Sequence, residues 1–174
     1  GDNDQPNLGP STGIYKSSDN GNTWTQTLTF PVPNVKFGSM IFSPTNSDVI
    51  LAATDKAIYL STDGGDNWNV QSIQAMYNIR FHPTNDNVVY GYSGQCLYKS
   101  IDQGNSWTIL RCFTGATRVE IETHPFLPEY VYALVSASDN SFGGLYLSKN
   151  GGSSFEEMSS APNILGHNTD GSSF

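Results

Sequence analysis

The sequence predicts an all-β chain built from repeated four-stranded antiparallel sheets, and three observations carry that prediction. The first is a turn pattern that occurs as Ser17-Ser18-Asp19-Asn20-Gly21-Asn22-Thr23-Trp24, Ser61-Thr62-Asp63-Gly64-Gly65-Asp66-Asn67-Trp68 and Ser100-Ile101-Asp102-Gln103-Gly104-Asn105-Ser106-Trp107. A degraded copy follows at Ser148-Lys149-Asn150-Gly151-Gly152-Ser153-Ser154-Phe155. The second is a Pro/Asn motif in step with it: Phe42-Ser43-Pro44-Thr45-Asn46, Phe81-His82-Pro83-Thr84-Asn85 and, more loosely, Thr123-His124-Pro125-Phe126-Leu127. The third is the spacing. The first serines of the turn pattern lie 44, 39 and 48 residues apart, a period that marks units unable to bury their faces alone.

Each element follows from its residues. Gly13-Ile14-Tyr15-Lys16, Ala57-Ile58-Tyr59-Leu60, Cys96-Leu97-Tyr98-Lys99 and Leu145-Tyr146-Leu147 are aromatic or aliphatic runs before each turn, and Thr25-Gln26-Thr27-Leu28 or Thr108-Ile109-Leu110 follows it. Two such runs joined by Asp, Asn and Gly form a β-hairpin. Asp19, Asp63 and Asp102 are placed to accept amides of their own turn. Gly21, Gly65 and Gly104 supply a positive φ. Trp24, Trp68 and Trp107 begin the outgoing strand and cover the hairpin base. Asn150, Gly152 and Phe155 keep the fourth hairpin. The Pro/Asn motif, followed by Val49-Ile50-Leu51, Val88-Val89-Tyr90 or Tyr130-Val131-Tyr132, makes a second hairpin per period. Two hairpins give four strands, and such sheets repeated radially are the blades of a β-propeller.

The Ser-x-Asp-x-Gly-x-x-Trp pattern resembles the Asp-box, or BNR repeat, of sialidases, sortilin-type receptors and xyloglucan-cleaving hydrolases, over residues 13 to 158. Coupled to the Pro-Thr-Asn hairpin, it most resembles the sortilin-like propellers of secreted bacterial proteins. Ala161-Pro162-Asn163-Ile164-Leu165-Gly166 resembles a linker in large exported propellers of the Bacteroidetes, many of them type IX secretion cargo. The resemblance implies a segment of a ring of roughly 7 to 10 blades. It also implies that the Asp-box residues lie at the blade periphery and are structural.

Residues 1–30 read as an N-terminal extension and the second half of a blade, 35–73, 77–113 and 117–158 as full blades, and 159–174 as a linker toward a further blade. An unclosed propeller leaves edges and apolar faces open, so the expectation is a longer polypeptide. A small ring closed by a partner chain is the alternative.

Net charge is −8 with 8 basic residues. That balance argues against nucleic acid or an anionic membrane as partner, since both select a positive face. No apolar run is long enough to span a bilayer. No Asn-x-Ser/Thr acceptor occurs, so nothing indicates N-glycosylation. Cys96 and Cys112 flank the third turn nearly symmetrically. They read either as a cross-strand disulfide of an exported protein or as two reduced, buried thiols.

Candidate chemistry is sparse. A sialidase needs an arginine cluster, and Arg80, Arg111 and Arg118 are the only arginines. Arg80 reads as a solvated charge on a strand. Glycoside hydrolysis needs two carboxyls facing one cleft. Glu120 and Glu122 share one face of a strand and read as an exposed acidic edge. His82 and His124 occupy equivalent pre-proline positions, a shared turn role, and His167 stands apart. Asp19-Asn20-Gly21-Asn22 and Asp63-Gly64-Gly65-Asp66 are oxygen-rich but lack the distant glutamate of a calcium loop. No catalytic, cofactor or metal residue is therefore assigned.

Function is expected in loops: Phe30 to Asn34, Arg111 to Thr117, the insertion over residues 136–144 with Ser138, Asp139, Asn140 and Phe142, and Asn163 to Phe174. Phe142 is either a contact residue or an aromatic plug. The leading expectation is a non-catalytic, secreted or cell-surface module that binds protein or glycan. The alternatives are a fragment of a polysaccharide-degrading hydrolase whose acids lie elsewhere, and a sortilin-like receptor ectodomain.

Overall fold

A computed structural model describes residues 12–161, and these form strands without a helix. The chain divides into two compact units at Tyr77/Asn78.

In the first unit, β1 (Gly13–Lys16) and β2 (Thr25–Thr29) form a two-stranded antiparallel sheet. The strands β3 (Phe37–Phe42), β4 (Ile50–Thr54), β5 (Ile58–Ser61) and β6 (Asn69–Ser72) form a four-stranded sheet in that order. All five residues of β4 are buried, which explains its unbroken Ile-Leu-Ala-Ala run: a strand covered on both faces has no polar side to alternate. Ile14 and Phe30 of the hairpin side pack with Ala52, Ala57 and Tyr59 of the sheet, and the Phe30 and Tyr59 rings lie 5.5 Å apart.

The second unit holds two four-stranded sheets. One contains β7 (Asn78–His82), β8 (Asn85–Ser93), β9 (Cys96–Ser100) and β10 (Thr108–Cys112), and the other β11 (Arg118–His124), β12 (Leu127–Ser136), β13 (Phe142–Ser148) and β14 (Glu156–Ser159). Within each, the strands are antiparallel and in sequence order. Tyr90, Tyr92 and Leu97 of one sheet share a core with Val119, Ile121, Val131, Ala133 and Val135 of the other. Val131, Ala133 and Val135 alternate along β12, so one of its faces fills this core. Antiparallel four-stranded sheets packed face to face in this way are propeller blades.

Three details recur. The pairing of third and fourth strands shifts register at Ile14/Tyr15, Ile58/Tyr59, Ile109/Arg111 and Leu145/Tyr146, a bulge at the same place in each repeat. The Pro/Asn turn is capped by the residue before proline: Ser43 Oγ accepts the Thr45 and Asn46 amides, His82 Nδ1 the Thr84 amide, and His124 Nδ1 the amides of Phe126 and Leu127. Finally, an amide of each later turn bonds back to the first hairpin of its own sheet: Gly64 to the Asp48 carbonyl, Gln103 to Asn87 and Gly151 to Glu129, at 2.8 to 2.9 Å.

Candidate functional site

The turn pattern is a closed hydrogen-bond device. Asp19 Oδ1 accepts the Thr23 amide at 2.8 Å, Asp63 Oδ1 the Asn67 amide at 2.9 Å and Asp102 Oδ1 the Ser106 amide at 2.8 Å. Asn150 Oδ1 accepts the Ser154 amide in the same way, at 2.9 Å. Donors from Thr23, Asn67 and Ser106 respectively hold the Asp19, Asp63 and Asp102 carboxyls down at about 2. Gly21, Gly65, Gly104 and Gly152 have φ between 86° and 89°. The residues before them, Asn20, Gly64, Gln103 and Gly151, are left-handed too.

The leading serine is a role that the sequence reading left unassigned. Its hydroxyl donates to the Asp or Asn side chain and accepts the glycine amide at 2.8 to 2.9 Å in all four copies. The invariance of Ser at the head of four otherwise divergent copies was the available signal. The tryptophans also depart from expectation. Trp24, Trp68 and Trp107 stand just before β2, β6 and β10, and their indole N–H groups fold back onto the Gly21, Gly65 and Gly104 carbonyls. They fold back over the turn, and Trp68 also donates to Thr27 Oγ1 at 3.1 Å and packs against the core of its unit.

Arg80, Glu120 and Glu122 come together where β7 and β11 run side by side. Arg80 Nε pairs with Glu122 at 3.1 Å, and Glu120 receives Arg118 Nε and Asn78 Nδ2, both at 2.6 Å. Arg80 is thus an ion-paired residue and not the freely solvated charge expected. Glu122 is neutralised from the neighbouring strand and Glu120 by Arg118 of its own strand. His82 and His124 serve as the turn caps described above, and burial lowers the His82 imidazole. His167 and the tail segment 163–174 lie outside the described residues.

Two of the expected loop segments do converge. Arg111 near the end of β10, with Phe113, Thr114 and Ala116 beyond it, lines a groove of about 220 Å³ with Ala137 of the β12–β13 connection and Gly143 and Tyr146 of β13. Cys96 and Cys112 face each other in register and are joined as a disulfide, with Cα atoms 4.0 Å apart. The bond ties down the strand that carries Arg111. The Phe113 and Tyr146 rings meet at 4.8 Å, and the Arg111 guanidinium lies over both, 5.1 and 4.6 Å from their centres. Its Nη1 donates to the Phe155 carbonyl at 3.0 Å. Gly144 permits this corner, since a Cβ there would stand 2.8 Å from the Tyr146 ring. Burial, and then Glu157, raises the Tyr146 phenol.

The insertion beside the groove is ordered by short bonds. Thr117 Oγ1 donates to the Ala137 carbonyl at 2.9 Å, and the Ser141 hydroxyl donates to Asp139 and lowers its carboxyl. Ser138, Asp139 and Asn140 are exposed there. Phe142 is 8 % exposed and opens β13, so its ring is buried. The sequence reading weighed Arg111 as a sialidase arginine and as the start of a candidate loop, not as a guanidinium stacked on two rings. The alternation Arg111-Cys112-Phe113 on a strand, which places both outer residues on one face, was the missed signal.

A family model described as sortilin, neurotensin receptor 3, matches residues 12–100, just over half of the chain. The chain belongs to the Sortilin-Vps10 family. No curated protein matches it. Among solved structures, it is similar to an ancestral GH74 enzyme (21 % identity over 87 % of this chain and 22 % of that one, TM-score 0.68). It is also similar to the GH74 xyloglucanase from Xanthomonas campestris (16 %, over 85 % and 27 %, TM-score 0.65). A third likeness is to YCF48 from Cyanidioschyzon merolae (15 %, over 78 % and 40 %, TM-score 0.60). The chain thus spans between about a fifth and two fifths of these structures, and at such identities the likeness establishes the β-propeller fold alone.

Proposed function

We propose that this chain is a binding module of a secreted or cell-surface β-propeller, engaging protein or glycan within a ring completed by further blades. Support comes first from the groove at Arg111, where the guanidinium of a disulfide-braced strand and the Thr114 hydroxyl of the adjoining loop line one wall. Binding sites sit on such loops of rigid scaffolds. The disulfide also favours an oxidising, extracellular setting. The acidic net charge favours neither nucleic acid nor membrane as partner. Adhesion, or carriage as exported cargo or as part of a surface or secretion assembly, are the roles such a module serves.

The second reading, a fragment of a polysaccharide-degrading hydrolase, is favoured by the likeness to GH74 enzymes. One experiment separates the two. The full-length protein is probed on glycan and peptide arrays and, in parallel, incubated with xyloglucan while reducing ends are counted. Retention on an array without new reducing ends supports the module. Release of reducing ends at an enzymatic rate overturns it in favour of the hydrolase.

A further inference from the structure

Three arginines occur in the chain, and the structure treats one of them differently. Arg80 and Arg118 each pair with a carboxylate. Arg111 makes none of the ion pairs found among the described residues: its contacts are one backbone carbonyl and two aromatic faces. A guanidinium carries five N–H donors in a fixed fork. A single bond to the Phe155 carbonyl occupies one of them, and ring faces accept charge without consuming the fork. Arg111 remains only partly covered and lines the groove. Glu157, which also acts on Tyr146, accepts a hydrogen bond from the Tyr146 hydroxyl at 3.4 Å.

The surroundings fit a small anionic group. Ala116, Ala137 and Gly143 leave space, Thr114 places an exposed hydroxyl on the wall, and about 220 Å³ accommodates a single sugar ring or one amino-acid residue. The rings beneath the guanidinium are not free to stack on a ligand, because Arg111 already covers them. Recognition must therefore run through charge and hydrogen bonds.

We infer that this groove binds a carboxylate carried on a ligand of about monosaccharide size, with Arg111 as its bidentate anchor and Thr114 as a second donor. The inference rests on the binding-module reading and specifies the chemistry of that site. A uronate sugar and an acidic side chain present the same group, and the test distinguishes them.

Glucuronate, glucose and N-acetylglutamate amide are titrated separately into the full-length protein, with binding followed by saturation-transfer-difference NMR and calorimetry. The expected result is saturable binding of glucuronate, of N-acetylglutamate amide, or of both, with at least tenfold weaker binding of glucose. Whichever carboxylate binds identifies the source. Arg111→Gln is expected to reduce that binding at least tenfold. Thr114→Trp, at an exposed wall position, is expected to block it while leaving the thermal midpoint unchanged, so a loss of fold in the arginine variant does not decide the matter. Equal binding of glucose, or carboxylate binding that survives both substitutions, overturns the inference. Absence of carboxylate binding also overturns it. In that case, continued retention on neutral glycan arrays leaves the module reading standing, whereas silence on every array removes both.

Discussion

At the scale of single residues, the turn glycines isolate backbone strain from packing. A Cβ at Gly65 would meet Ile50 and Trp68 only at ordinary contact distances of 3.5 and 3.6 Å, yet φ is 88°. Gly65→Ala should therefore cost about 1–2 kcal/mol from the left-handed backbone alone, read as a lower urea midpoint with an unchanged m-value. Tyr90 offers the opposite case. Its hydroxyl is buried with no hydrogen-bond partner among the described residues, and burial pushes the phenol up to about 12. Removing an unsatisfied polar group relieves its desolvation, so Tyr90→Phe is expected to be neutral or to stabilise by up to about 1 kcal/mol in the same assay. The aspartate and glycine roles at the turns were legible in the sequence because turn chemistry is local. Tyr90 was not, since nothing near it in sequence reveals which partners a buried hydroxyl will lack.

At the scale of elements, three of the four turns carry a titrating aspartate and one carries Asn150. The three carboxyls are held at about 2 in the folded chain, below the ordinary aspartate value of 3.8. Depressed acids stabilise the fold above the unfolded value, and that contribution is lost as pH falls toward 2. Hydrogen exchange across the first three hairpins should therefore accelerate between about pH 4 and 2, whereas the β13–β14 hairpin should show no such step of its own. Equal acceleration in all four would mean that the aspartates do not hold the turns. The Cys96–Cys112 bond closes a loop of 16 residues. Replacing both cysteines by alanine should lower stability by about 3 kcal/mol, measured by urea unfolding of the oxidised parent and the variant. Spacing alone could not decide between disulfide and free thiols. The β10 bulge between Ile109 and Arg111 settles the register that puts the two sulfurs opposite each other, and bulges leave little trace in sequence.

At the scale of the whole molecule, the excess of acidic over basic residues gives a net charge of −8, and the described ion pairs are surface contacts of small individual worth. Self-repulsion then outweighs pairing, so the thermal midpoint should rise as salt increases from about 10 to 150 mM. A falling midpoint would show that the ion pairs dominate. The blade architecture was readable because it repeats: one motif seen four times averages out local ambiguity. The groove was not, because it is assembled where the sequence stops repeating, at Arg111 to Ala116 and at the insertion before β13. The backward bond from each later turn to the first hairpin of its own sheet, Gly64 to Asp48, Gln103 to Asn87 and Gly151 to Glu129, has an evolutionary consequence. Each repeat fastens its later turn to its own first hairpin with main-chain atoms that any side chain except proline leaves in place. Unequal crossing-over between gene segments for neighbouring repeats would deliver a unit with that fastening intact. Blade number can therefore drift over generations, while the connecting segments and loops diverge toward new ligands.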